Sequence, residues 1–345
     1  YMFSEELGLV IEVRTGKLNY VLEKFREAEI DISVLGSTTE EPEIFIKYNG
    51  EIVLNEKNND LRMLWQRTSY LLEREQTNPE CIEDEMKNCF DMNIMENRYP
   101  QSVVNQLKFN ELMYHKYDAD KPRVAIMRAD GSNGEMEMAY AFLQVGFEPE
   151  DINIYDATRD NFNFEKFRGI VWVGGFTYGD VLGAAEGWYQ VLNLKKKELD
   201  DFNAREDTFS LGVCNGCQMM TRLGWVEGLK MESNNSGRFE SRWSQVKITE
   251  DDNIFFKGLK DVTLGIYSAH GEGKMTRLEG FESSSTSFPV RYVDRENNIT
   301  QKYPFNPNGS REGRAAAISA NGRHLAIMPH PERTILSWQV PHKYG

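Results

Sequence analysis

The chain has 345 residues, with 40 Lys+Arg against 54 Asp+Glu, a formal charge of -14, four Cys and five His. That length suits about two domains, and the acidic balance argues against a nucleic-acid backbone or an anionic membrane as the main partner. With 19 Phe, 15 Tyr and 6 Trp the chain is too aromatic for disorder. No apolar run approaches a membrane span, and four Cys make no disulfide framework, which points to a reducing, cytoplasmic setting. No leader-like segment opens the sequence, and Tyr1 leads straight into an apolar stretch, as in a piece of a longer chain.

The first hundred residues read as an α+β unit, one helix over one face of a sheet. Residues 8–13 predict a strand. Residues 17–27 predict a helix with Leu18, Val21, Leu22 and Phe25 on one face, and 30–35 and 43–47 alternate as half-buried strands do. A second helix is expected over 60–75, burying Leu61, Leu64, Trp65, Leu71 and Leu72. Residues 77–121 are polar and carry Pro79 and Pro100; they read as a connecting segment that wraps on a neighbour, with short helices.

At Arg123 the texture changes to strand–helix alternation. Strands are expected at 124–127, 152–155, 169–173 and 209–213. Asn133 is the expected cap and Gly146 the expected stop of the first helix. Further helices are expected over 184–199 and from Met219. Beyond Phe239 the pattern becomes β-rich, with strands over 244–249, 262–268, 290–293, 315–319 and 324–328, and 283–287 as a loop. Alternation of this kind implies an α/β fold with a doubly wound, mostly parallel sheet.

Three features carry chemistry. Cys214 follows an apolar strand, flanked by Gly212 and Gly216, where a helix begins. Such a turn holds a nucleophile in a tight bend, and the helix N-terminus offers free N–H groups and partial positive charge. The rival readings are a buried structural cysteine and a C-x-x-C redox or zinc site with Cys217; Cys81 and Cys89 lie far upstream and make no matching pair. Second, Pro329-His330-Pro331-Glu332 ends an apolar strand. Residues i and i+2 of an extended segment share a side, so Glu332 can hold one imidazole nitrogen while the other faces a thiol. Third, Gly174-Gly175 follows a strand without a Lys-Ser/Thr, so an oxyanion hole is preferred over a phosphate loop and over a plain turn. No metal site is expected.

In the order Gly-Gly, Gly-x-Cys-x-Gly-x-Gln, Pro-His-Pro-Glu, these elements resemble class I (triad) glutamine amidotransferases. The wording of 174–184, 212–220, 237–242 and 269–273 is similar to the phosphoribosylformylglycinamidine synthase family in its long single-chain form. There a glutaminase is fused behind two domains resembling aminoimidazole ribonucleotide synthetase. Residues 3–13 and 61–81 resemble the end of the second such domain and its tail. The resemblance thus implies residues 1–120 as a synthetase-like end plus connecting segment, and 121–345 as the glutaminase.

Carried residue by residue, it implies Cys214 as the nucleophile, His330 as the proton shuttle and Glu332 as its orienter. Backbone N–H groups near Gly175 or Phe176, and that of Asn215, would stabilise the oxyanion. Gln218, Asn235, Arg238 and Phe239 would line the glutamine side, with weaker claims for His270 and Glu272. It further implies L-glutamine as substrate and no cofactor for the glutaminase. ATP and magnesium would serve the synthetase domains of the same long chain, which use the ammonia. Most residues for that second half-reaction are absent here, so glutaminase chemistry alone is expected, slow without synthetase contacts.

Overall fold

In the computed structural model, residues 7–88, 95–106 and 121–341 are described. The backbone divides into two compact units between Ser69 and Tyr70.

In the first unit, α1 (Leu18–Glu27) is entered through a 3-10 turn at Thr15–Lys17. Leu18, Val21, Leu22 and Phe25 share its half-buried face, as their spacing predicts. β1 (Glu43–Tyr48) and β2 (Glu51–Lys57) form an antiparallel hairpin. Asn49 and Gly50 make its two-residue turn with φ of 50° and 87°. Positive φ at both central positions matches the twist of the flanking strands. β2 is missing from the expected elements, although Asn-Gly is the strongest local hairpin signal. Residues 8–13 and 30–35 are not strands. Leu9 is 93% and Leu35 79% exposed. Among the described residues neither run has a neighbouring strand to complete a ladder, and alternation alone does not supply one.

α2 (Asn58–Gln76) covers the expected helix. Its apolar face stays open, however: Trp65 is 81% exposed, and Leu64, Leu71 and Leu72 are exposed too. No described element packs over them, so the predicted burial fails for want of a cover.

In the second unit, α3 (Pro79–Asn88) starts with Pro79 at its first position, and the Asn78 side chain accepts from the Glu80 N–H at 3.0 Å. α4 spans Gln101–Gln106. Cys89 lies outside the described residues. β3 (Arg123–Arg128), α5 (Glu135–Gln144), β4 (Glu148–Asn153) and the helical turn α6 (Ile154–Ala157) follow. Asn133 does not cap α5. Gly134, at φ 84°, precedes the helix, and the Asn133 N–H goes to the Gly174 carbonyl instead. Gly146 does end the helix, at φ 91°. Ile154 and Tyr155 leave the expected strand because Asn153 caps a helical turn through the Tyr155 N–H.

β5 (Gly169–Trp172), α7 (Glu186–Leu192), α8 (Lys196–Ala204), β6 (Phe209–Val213) and α9 (Asn215–Leu223) complete the alternating half. The single helix expected over 184–199 is broken by a 3-10 turn at Asn193–Lys195. Beyond lie β7 (Leu229–Glu232), β8 (Glu240–Ile248), β9 (Thr263–His270), β10 (Lys274–Arg277), β11 (Ser287–Tyr292), β12 (Arg314–Ile318) and β13 (His324–Ile327).

A nine-stranded sheet runs β4-β3-β5-β6-β13-β12-β11-β8-β9. The strands from β4 to β13 are parallel and the remainder continue antiparallel. β7 and β10, neither anticipated from the sequence, form a separate pair. Under the parallel half Trp172, Trp188 and Trp225 pack edge to face at 5.6 and 5.7 Å. Truncating a ring buried this way costs about 3–5 kcal/mol. Among the described residues no helix is long and apolar enough to cross a membrane.

Candidate active site

Three chain-distant motifs meet because their strands are neighbours. β5 pairs with β6, Trp172 opposite Gly212, and β6 pairs with β13, Val213 opposite Ile327. The chain leaving these parallel strands at their carboxyl ends brings Gly174, Cys214 and His330 to one place, where ligands of open α/β sheets bind.

Cys214 has φ 52° and ψ -106°, a left-handed conformation rare for a side-chain-bearing residue. The bend survives because its neighbours are bare. A Cβ on Gly216 would overlap the Trp172 carbonyl, and one on Gly212 would overlap the Gly216 carbonyl. The thiol is buried and donates to the Ala269 carbonyl at 3.3 Å. α9 starts directly after it, so the Asn215 N–H opens a helix and has no intrahelical acceptor.

His330 is buried, with Nδ1 2.6 Å from Glu332 Oε1. Its backbone N–H donates to the Tyr267 carbonyl at 2.7 Å and fixes it against β9. The two residues do not share one side of an extended strand, as the sequence suggests. His330 is extended, and Pro331 then starts a 3-10 turn, Pro331–Arg333, that curls the carboxylate back to the ring. Nε2 is buried with no hydrogen-bond partner among the described residues. Gly174 lies against both the ring and the nucleophile: a Cβ there would lie 2.9 Å from His330 Cε1 and 3.5 Å from Cys214 Cβ. Burial opposes an imidazolium, but the Cys214 sulfur and the Glu332 carboxylate outweigh it and raise His330 to about 9.

Gly175 and Phe176 part company. The Phe176 N–H is consumed by the Gly131 carbonyl at 2.8 Å, so it is no oxyanion donor. The Gly175 N–H has no hydrogen-bond partner among the described residues. Gly175 sits at φ 135°, and a Cβ would lie 2.6 Å from Ser132 Cα, so glycine alone fits. Phe176 instead offers its ring to the pocket, 5.7 Å from that of Phe239.

That pocket is lined by Gly175, Phe176, Asp180, Ala184, Cys214, Gln218, Phe239, Ala269, His270, Gly271 and Glu272. Gln218 donates to the Glu272 carbonyl at 2.8 Å and accepts from Asn215 Nδ2 at 2.9 Å. The Asn215 side chain faces inward rather than toward the pocket: it accepts from the Thr177 hydroxyl at 2.7 Å and donates to Asp180 at 3.1 Å. It thereby ties the Gly174-Gly175 loop to the nucleophile helix. His270 is buried, its pKa lowered to about 4 by burial and by the His330 charge. Its Nδ1 lies 3.2 Å from Asn234 Oδ1.

Two expected residues are elsewhere. Asn235 is exposed and only its backbone is tied down, accepting from Asn78 Nδ2 at 3.0 Å and donating to Asn308. Its neighbour Asn234 is the inward one, donating to the carbonyls of His270 at 2.7 Å and Arg238 at 3.0 Å. Arg238 does not line the pocket; it is taken up by Glu73, Glu85 and Glu240 and by the Tyr303 hydroxyl. Asp180, Asn234 and Ala269 are site residues that the sequence reading misses. Asp180 stood in the Gly-Gly-Phe-Thr-Tyr-Gly-Asp run, whereas nothing local marks Ala269, whose carbonyl acts.

Cys214, Cys217 and Cys81 are free thiols. Cys217 is wholly buried, and burial pushes its thiol well up, the opposite of what thiol–disulfide exchange needs. Among the described residues no three His, Cys, Asp or Glu side chains gather as a metal-holding group.

A strained cysteine at a strand–helix turn, a carboxylate-held histidine beside it and a glycine loop opposite place the chain in a class: α/β proteins with a cysteine, histidine and carboxylate gathered at the carboxyl ends of a parallel sheet. Residues 121–344 match the family model described as a CobB/CobQ-like glutamine amidotransferase domain, and the chain belongs to that family. Over 99% of its length the chain is 41% identical to the probable phosphoribosylformylglycinamidine synthase, chloroplastic/mitochondrial, of Arabidopsis thaliana. It is 38% identical over 98% of its length to phosphoribosylformylglycinamidine synthase of Homo sapiens. It spans about a quarter of the length of these relatives, 25% and 27%. Among solved structures, PurLQS from Thermotoga maritima shares the fold, with TM-score 0.53, 24% identity, and coverage of 64% of this chain and 92% of that one.

Proposed function

We propose that the chain hydrolyses L-glutamine through a thioester on Cys214. The ammonia would be used by synthetase domains of the same long protein. There formylglycinamide ribonucleotide becomes its amidine in de novo purine biosynthesis. The family supports the glutamine chemistry, and the similarity to phosphoribosylformylglycinamidine synthases supports the pathway. The observation that carries the reading is the strained Cys214 beside the His330–Glu332 pair. The free thiols fit a cytoplasmic setting.

Cys214 Sγ attacks the side-chain amide carbon, and its proton passes to His330 Nε2, the ring nitrogen left without a partner. The carbonyl oxygen becomes an oxyanion, for which the N–H groups of Gly175 and Asn215 are the donors. His330 returns the proton to the leaving nitrogen. Ammonia departs and a γ-glutamyl thioester remains. Nε2 then takes a proton from water, the hydroxide attacks the thioester, and the proton returns to sulfur as glutamate leaves. Glu332 holds Nδ1–H throughout, which keeps the lone pair on Nε2.

In this reading ATP and magnesium belong to the synthetase half-reaction. The described residues gather no metal-holding group. The deciding experiment measures glutamate release and labelling by a glutamine-like chloroketone. Release that stops in Cys214→Ala, with label on Cys214 in the unsubstituted chain, supports the reading; undiminished release in Cys214→Ala sinks it.

A further inference from the structure

Phe239 forms one wall of the pocket and stands at the end of the loop between β7 and β8. Much of what holds that loop comes from before the α/β domain, from residues 73–85. The Asn78 N–H donates to the Ser236 carbonyl and its Nδ2 to the Asn235 carbonyl, each at 3.0 Å. Glu73 pairs with Arg238. Glu85 accepts from Arg238 at 3.2 Å and from Arg242 at 3.1 Å.

The two arginines also grip Glu240, which is 1% exposed, at 3.2 and 2.7 Å. Phe239 is therefore held through both of its chain neighbours, Arg238 and Glu240. Charge explains why the outer carboxylates matter. Without Glu73 and Glu85, two partly buried guanidinium groups would face a single buried carboxylate and repel one another.

We propose that Glu73, Asn78 and Glu85 are positioning residues for substrate: through Arg238 and the Asn235-Ser236 backbone they hold Phe239 against the pocket, so that glutamine affinity is set from the connecting segment. This rests on the reading of the pocket as a glutamine site.

The test uses the full chain as Glu85→Gln, Asn78→Ala and Glu85→Asp, with Glu83→Gln, an exposed neighbour on α3, as control. Loss of a tie raises KM for glutamine roughly 10-fold with kcat within about two-fold, and Glu85→Asp recovers part of it. Hydrogen exchange over residues 235–240 quickens by about 10-fold in Glu85→Gln and Asn78→Ala, and stays unchanged in Glu83→Gln. Unaltered exchange and KM in folded Asn78→Ala and Glu85→Gln overturn the proposal, as does a fall in kcat at constant KM. Should Glu85→Gln fail to fold, Asn78→Ala and Glu85→Asp decide alone. A chain that, even when unsubstituted, releases no glutamate and takes no glutamine-like chloroketone on Cys214 refutes the glutamine reading, and the exchange rates still judge the positioning separately.

Discussion

His330 Nδ1 lies 2.6 Å from Glu332 Oε1, across a single 3-10 turn and with both side chains buried. A carboxylate accepts only, so Nδ1 keeps its proton, and when the ring is neutral the lone pair is at Nε2. Glu332→Gln keeps the size but allows an amide N–H to face Nδ1, which favours the wrong tautomer. We expect kcat for glutamate release to fall roughly 10²–10⁴-fold with melting temperature little changed. A variant retaining more than about a tenth of the rate would show that Glu332 does not set the tautomer.

The Cys214 sulfur and Glu332 together raise His330 from 6.5 to about 9 against the effect of burial. Cys214→Ala removes one of the two supports, so the His330 midpoint falls, followed by NMR of the ring in labelled protein. The sign for stability is definite. A histidine raised on folding contributes fully below 6.5 and loses that contribution as pH rises through about 9. Melting temperature in the unsubstituted chain therefore declines between those limits, and the decline flattens in Cys214→Ala. Equal slopes would place the source of the shift elsewhere.

Much of the site was legible because its residues sit where chain geometry is most constrained. Gly212, Cys214 and Gly216 announce a bend that only bare neighbours permit, and the strand–helix alternation around them gives the parallel sheet. What could not be read is whatever depends on partners distant in sequence. Whether the Phe176 N–H is free turns on the Gly131 carbonyl. That Asn234 rather than Asn235 faces inward turns on His270. Arg238 looks like a pocket residue until Glu73 and Glu85 take it up. The same rule explains the first unit, where residues 8–13 and 30–35 have strand-like composition and no strand beside them.

Two glycines of one helix should respond very unequally. A Cβ at Gly216 meets the backbone of Trp172, which cannot move without unseating β5. Gly216→Ala is expected to lose about 3 kcal/mol or more in urea unfolding, or to prevent folding. Gly224 ends the same helix at φ 76° with open space around it. Asn tolerates that conformation, so Gly224→Asn loses about 1 kcal/mol or less. A mild Gly216→Ala would mean that the bend at Cys214 has slack.

His324 carries the acid sensitivity of the core. Its ring lies 2.8 Å from Ser210 Oγ at Nδ1 and 3.2 Å from the Asn203 carbonyl at Nε2. A carbonyl accepts only, so Nε2 holds the proton and Nδ1 accepts from the serine hydroxyl. Burial lowers the pKa to about 4. A histidine lowered on folding contributes fully above 6.5, and the contribution is lost as pH falls from there toward 4, because the unfolded chain binds the proton first. At the bottom of that window the loss is on the order of 3 kcal/mol. His270, also about 4, adds to it. In His324→Gln the fall in unfolding free energy between pH 7 and pH 4.5 should shrink, even if the variant is less stable at pH 7. Carboxylates titrate in the same range in both proteins, so the difference between the two slopes isolates the histidine. Parallel slopes would mean that His324 already takes up its proton in the folded chain.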